Sequence, residues 1–131
     1  MKTRYLLDTH ILLWQYEKPD RLPKTIRKLL TKPDQTFLLC DISLLEIATG
    51  YAHGRIRLSM GLSQWLSHAV APPRVEVVPI TPEIAAEVAT LGTTMHKDPA
   101  DRVIVATARV LGATLVTEDQ LIRDVALCAL L

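Results

Sequence analysis

With 131 residues, 49% of them hydrophobic, the chain has the length of one domain and the apolar content of a folded one rather than a disordered tail. Fifteen Lys and Arg against fourteen Asp and Glu leave a formal charge of +1, too balanced for composition alone to announce a nucleic-acid binder. No run is long and apolar enough for a transmembrane helix, and Asp8 and His10 interrupt the apolar start with no small-residue cleavage site after it, which argues against a signal peptide.

Short runs rich in Val, Ile and Leu alternate with longer stretches of helical spacing, the pattern of an α/β domain with a mostly parallel sheet. A first strand is expected at Arg4–Leu7, followed by helices over Thr9–Tyr16 and Leu22–Lys32. A second strand at Thr36–Cys40 leads to a helix over Ser43–Gly54, stopped by Gly54, and to another over Leu62–Val70. Pro72-Pro73 breaks the chain before a strand at Val75–Pro79, and Thr81-Pro82 opens a helix that runs to Leu91. A helix over Pro99–Leu111, stopped by Gly112, then precedes a strand at Ala113–Thr117 and a short helix from Asp119. Nothing divides the chain, so residues 1–131 are read as one domain. Cys40 and Cys128 lie far apart and outside any C-x-x-C pair, which reads as buried free thiols in a reducing cytosol.

Four acids fall where the carboxyl ends of parallel strands meet: Asp8 after the first strand, Glu46 in the first helical turn after "CDIS", Asp101 in the first turn of the long helix, and Asp119 after "TLVT". Each has a purely structural explanation. Asp8 and Asp119 can cap the helices that follow, Ser43-Leu44-Leu45-Glu46 matches the S-x-x-E capping box, and Asp98-Pro99 matches a cap and first helical residue, which puts Asp101 in a first turn where the helix dipole favours an anion. Gathering them has a cost, because two carboxylates about 4 Å apart repel by roughly 4 kcal/mol at an effective dielectric near 20. A hard divalent cation with oxygen ligands, completed by substrate phosphate, resolves that cost.

"YLLDTHILLW", "SLLEI", "DPADRVIVATA" and "TLVTED", in that order, resemble the PIN-domain ribonucleases, in particular the VapC-like toxins of bacterial type II toxin-antitoxin systems. The likeness covers nearly the whole chain and implies a three-layer α/β/α domain with an acidic cluster at the strand ends. It further implies that Asp8, Glu46, Asp101 and Asp119 bind one or two Mg²⁺ or Mn²⁺ ions used to cleave RNA. Asp98 would cap the helix behind that cluster, Thr117 and Thr9 would support it, His10 is a candidate for substrate phosphate, and Arg102 is one for substrate phosphate or for a structural salt bridge. His10 also reads as a local hydrogen-bonding residue, since no second His stands at H-E-x-x-H spacing.

The activity so implied is hydrolysis of an RNA phosphodiester by metal-activated water, leaving a 5′-phosphate and a 3′-hydroxyl. The resemblance also implies a cytoplasmic homodimer with a cognate antitoxin, seated in a groove that includes "RIRLSMGLSQWLSHAV", although an apolar helical stripe of this kind also reads as plain core. The chain departs from relatives after Asp119, where "VALCALL" is expected to supply only a short last strand. From Lys18 to Lys32 six basic residues face one acid, Asp20, and form either a solvated face or a phosphate track. A dehalogenase-type phosphatase is disfavoured because His10 stands where its second Asp belongs, and a receiver domain because no Lys closes the last strand. The remaining rival is an inactive PIN-like module whose acids only cap helices.

Overall fold

Side chains alternate across a strand, so a strand that is apolar at every position must be covered on both faces. A computed structural model, which describes residues 2–131, shows this arrangement. The strands β1 (Tyr5–Leu7), β2 (Phe37–Cys40), β3 (Val75–Val78) and β4 (Thr114–Val116) form one parallel sheet in the order β3-β2-β1-β4. Leu7, Phe37, Leu39 and Val116 face a core closed by α1 (Thr9–Glu17), α2 (Lys24–Leu30), α3 (Asp41–Ala52) and α4 (Leu62–Ala69). Leu6, Leu38, Cys40 and Leu115 face a second core under α5 (Pro82–Thr90), α6 (Pro99–Leu111) and α7 (Gln120–Val125). The three-layer expectation therefore holds, with the sheet wholly parallel.

The order of connections fixes where the sheet opens. From β1 through β2 to β3 the chain steps outward with its helices on one face; it then returns on the other face to place β4 on the far side of β1. The boundary between β1 and β4 is thus the switch point, where crossover helices diverge and leave a crevice at the strand ends.

Several boundaries differ from expectation for local reasons. The helix expected over Leu22–Lys32 is split: Pro19–Arg21 is a 3₁₀ turn, Leu22 is extended because it precedes Pro23, and α2 starts only at Lys24. Helix α3 starts at Asp41, not Ser43, so Ser43 lies inside it, fully buried, and the expected capping box does not form. Glu46 consequently sits in the second turn. The last segment adds a single parallel bridge, Leu115 to Leu130, on the free edge of β4, with the Leu115 N–H donating to the Ala129 carbonyl at 2.8 Å. Of the apolar stripe beyond α3, Trp65 is 2% exposed and Leu58, Leu62 and Leu66 pack partly against the same core, leaving Met60 exposed. No helix among the described residues is long and apolar enough to cross a membrane.

Candidate active site

Leu7 pairs with Val116, so β1 and β4 end level and deliver Asp8 and Thr117 side by side. Asp8 is 2% exposed, and such a carboxylate needs donors. Its Oδ1 accepts the Thr9 N–H at 2.7 Å, which caps α1, and its Oδ2 accepts the Thr117 hydroxyl at 2.7 Å. The Thr117 oxygen in turn accepts the Asp119 N–H at 3.0 Å, tying the entry to α7 to the same carboxylate. Asp119 caps α7 through Oδ1, which accepts from the Leu121 and Ile122 N–H groups at 2.8 and 3.3 Å. His10 is held locally: its Nε2 accepts the Glu118 N–H at 3.0 Å, which leaves the ring proton on Nδ1, 3.6 Å from Asp8 Oδ2.

Helices α3 and α6 supply the opposite wall. The Thr9 hydroxyl lies 2.8 Å from Ser43 Oγ and donates to Glu46 Oε1, so the first turn of α1 orients the Glu46 carboxylate. Asp98 caps α6, its Oδ1 accepting from the Ala100 and Asp101 N–H groups at 3.0 and 3.4 Å. Asp101 Oδ2 is hydrogen-bonded to His96 Nε2 at 2.7 Å. One carboxylate oxygen each from Glu46, Asp98 and Asp101 lie within 4.8 Å of one another. All five acids, Asp8, Glu46, Asp98, Asp101 and Asp119, line a single open cavity of about 330 Å³.

Crowding the acids changes their chemistry. Burial pushes the Glu46 carboxyl above its ordinary value, and the neighbouring Asp101, Asp8 and Asp98 push it further against the opposing bond from Thr9. Burial likewise raises Asp101 to about 6, with Asp8, Asp98 and Asp119 adding to the rise and the His96 bond pulling it down. Like charges that hinder one another's ionisation across a solvent-open cavity, and that offer only oxygen donors, fit a hard divalent cation such as Mg²⁺ or Mn²⁺.

Two expectations change. Asp98, expected only as a cap behind the cluster, caps α6 and also contributes an oxygen to the closest acidic group. Arg102, expected at substrate phosphate or in a structural salt bridge, turns away from the cavity and, among the described residues, makes no ion pair: its guanidinium donates to the carbonyls of Met95, His96, Val88 and Gly92 at 3.1, 3.3, 3.4 and 3.0 Å. It pins the loop between α5 and α6 and does not line the cavity. Sequence reasoning missed His96, whose partner lies five residues away, and Arg55, which does line the cavity. Arg55 is placed by the end of α3, where Gly54 (φ 73°) donates to the Tyr51 carbonyl at 3.1 Å and Arg55 to the Gly50 carbonyl at 2.9 Å. This is the glycine-terminated helix end of the Schellman type, and it folds Ile56 onto the bare face of Gly50. The glycine stop was legible; the cation it aims was not.

A doubly wound α/β/α domain with acids gathered at its switch point defines a class of α/β domains with acidic, cation-accepting sites, and comparison with known families narrows it. The family model for the PIN domain matches residues 5–127, and the chain belongs to that family. It is 35% identical over 122 residues, 93% of this chain and 92% of the relative, to Ribonuclease VapC22 of Mycobacterium tuberculosis. The fold is shared with VapBC from Salmonella typhimurium in a DNA-bound crystal structure (TM-score 0.74, 17% identity, 99% of this chain and 98% of that one). It is shared equally with VapBC2 from Rickettsia felis, bound to a promoter fragment (TM-score 0.73, 20% identity, 98% of both chains). A toxin-antitoxin complex from Klebsiella pneumoniae is more distant (TM-score 0.61, 18% identity, 88% of this chain and 87% of that one).

Proposed function

We propose that this protein is a metal-dependent endoribonuclease, the toxin of a toxin-antitoxin pair. The observation that carries the reading is a difference among the acids: Asp8, Asp98 and Asp119 each cap a helix, but Glu46 and Asp101 cap nothing. Helix capping therefore accounts for three of the five and leaves the two with raised carboxyl pKa facing the cavity. The similarity to Ribonuclease VapC22 supports RNA as substrate, and the likeness in fold to VapBC and toxin-antitoxin complexes supports a cognate antitoxin. A homodimer completes the proposal.

In this reading Asp8, Glu46, Asp101 and Asp119, with Asp98 beside them, hold one or two Mg²⁺ or Mn²⁺ ions. When bound, a divalent cation supplies Lewis acidity at the scissile phosphate and an activated water, so that cleavage leaves a 5′-phosphate and a 3′-hydroxyl. The chain's own residues position that chemistry. Thr117 fixes Asp8 and Asp119 relative to each other, Thr9 orients Glu46, and His96 holds Asp101 through a single carboxylate oxygen. The carboxylates are ligands rather than nucleophiles, and with the Arg102 guanidinium turned away, Arg55 is the cavity's one arginine among five acids.

The test is cleavage of a mixed cellular RNA pool by purified protein with Mn²⁺ or Mg²⁺, with EDTA, and with an Asp101→Asn variant. Discrete fragments that vanish with EDTA and with the variant are expected. Equal inertness of folded wild type and variant, with no metal-induced stabilisation of the wild type, would return the acids to a structural role.

A further inference from the structure

A second cavity, of about 420 Å³, lies against the acidic one, and the two share Leu13, Arg55 and Ile56 in their walls. Its remaining lining includes Trp14, Lys18, Arg21 and Arg57, so four cations face it. None of the four is in an ion pair among the described residues. The cavity's one carboxylate, Glu17, is already engaged, its Oε2 accepting from Ser59 Oγ at 2.9 Å and from the Trp65 indole at 3.0 Å. The Arg21 guanidinium lies over the half-buried Trp14 ring, 4.4 Å from its centroid.

We infer that this basic cavity seats the single-stranded RNA segment adjoining the scissile phosphodiester, with Arg55 at the junction drawing the backbone toward the acids. The inference rests on the nuclease reading above and names how that site holds its substrate. The physical need is specific: five clustered carboxylates repel a polyanion, so phosphates reach them only if neighbouring cations offset the repulsion. Unpaired guanidinium and ammonium groups are the means by which proteins hold unstacked strands, through phosphate contact and stacking of bases on guanidinium planes such as that of Arg21, which rests on Trp14. A concavity of this size admits a nucleotide and not a duplex. Continuity of the walls gives the strand a direction, from Arg21 and Trp14 across Arg55 to Asp8 and Glu46.

The test uses the full chain carrying Asp101→Asn to prevent cleavage, and a fluorescein-labelled single-stranded RNA of mixed sequence, read by anisotropy at several salt concentrations. Adding Arg21→Ala with Arg57→Ala is expected to weaken binding about tenfold and to flatten the salt dependence by about 1.4 in log-log slope, roughly 0.7 per lost phosphate contact. Lys28→Ala with Lys32→Ala, on exposed positions at and beyond the end of α2, is expected to change neither. In the cleaving protein the Arg21/Arg57 change is expected to raise KM and leave kcat near its starting value. Unchanged affinity and slope in the folded Arg21/Arg57 variant overturn the inference, as does loss of binding to an acidic peptide with RNA binding intact. A wild type that binds RNA through these residues but cleaves nothing supports the subsite and overturns the nuclease reading instead.

Discussion

Replacing Asp101 with Asn should stabilise the metal-free protein at neutral pH, although it removes a side chain that hydrogen-bonds to His96. In the folded protein the Asp101 carboxyl titrates at about 6, against 3.8 for an unperturbed one, because it is largely buried among Asp8, Asp98 and Asp119. A shift of about two units corresponds to roughly 3 kcal/mol. The sign follows from proton counting. Between about pH 4 and about pH 6 the folded state holds this proton more tightly than the unfolded chain, so stability falls as pH rises through that window. Above it the ionised group opposes folding by the full amount. The side chain is only 13% exposed, so solvent screens little of this. Asn keeps the shape, carries no charge and can still bond to the imidazole, so a gain of about 1–3 kcal/mol is expected at pH 7 in EDTA, shrinking toward nothing near pH 4. Saturating Mn²⁺ should reverse the order, since a ligand at 100 times its Kd adds about 2.7 kcal/mol to the wild type and less to a variant lacking one carboxylate. Urea unfolding followed by circular dichroism, at both pH values and with EDTA or Mn²⁺, reads all four states. A variant less stable than wild type at pH 7 in EDTA, or an equal gain from Mn²⁺ in both proteins, would refute the electrostatic account of the cluster.

Three further outcomes follow from the same contacts. Thr117→Val removes the donor to Asp8 Oδ2 and the acceptor for the Asp119 N–H, and should cost about 2–4 kcal/mol in urea unfolding while abolishing RNA cleavage; a cost below 0.5 kcal/mol would show that water replaces the hydroxyl. Arg102→Ala should lower stability by about 2 kcal/mol, and Arg102→Lys should not restore it, because one ammonium cannot span the four carbonyls that the guanidinium reaches; rescue by Lys in a thermal melt would contradict this. Gly50→Ala places a methyl 2.5 Å from Ile56 Cδ1 and 2.8 Å from Cγ1, so the Ile56 side chain, which lines both cavities beside Arg55, must shift. RNA affinity should fall by about tenfold and recover when Ile56→Ala is added, with overpacking of about 1–3 kcal/mol relieved in the same double variant.

The sequence by itself determined the layers of this protein. Apolar runs at Tyr5–Leu7, Phe37–Cys40 and Thr114–Val116 have no polar face, which demands helices on both sides, and Gly54, Gly112, Thr81 and Asp98 mark helix ends through local backbone chemistry. The places of Asp8 and Asp119 just after strands were legible for the same reason, since the direction of parallel strands fixes which edge they share, whereas Glu46 and Asp101 reach that edge from helices α3 and α6. Local signals failed where a competing neighbour decided the outcome. Ser43 looked like a cap but is buried against Thr9, and Leu22 looked helical but precedes a proline.

Only the tertiary structure decided which groups face one another. That Thr117 reaches Asp8 across 109 positions, that His96 holds Asp101, and that Arg102 turns away while Arg55 turns in depend on strand register and on loop closure. Arg102 shows why adjacency in sequence is a poor guide on a helix: consecutive side chains point about 100° apart, so the neighbour of a cavity-facing aspartate points elsewhere. Capping and periodicity are properties of a few consecutive residues and are written in the chain. A site is a convergence of several chain segments, and its electrostatics exist only once folding has removed water from between them.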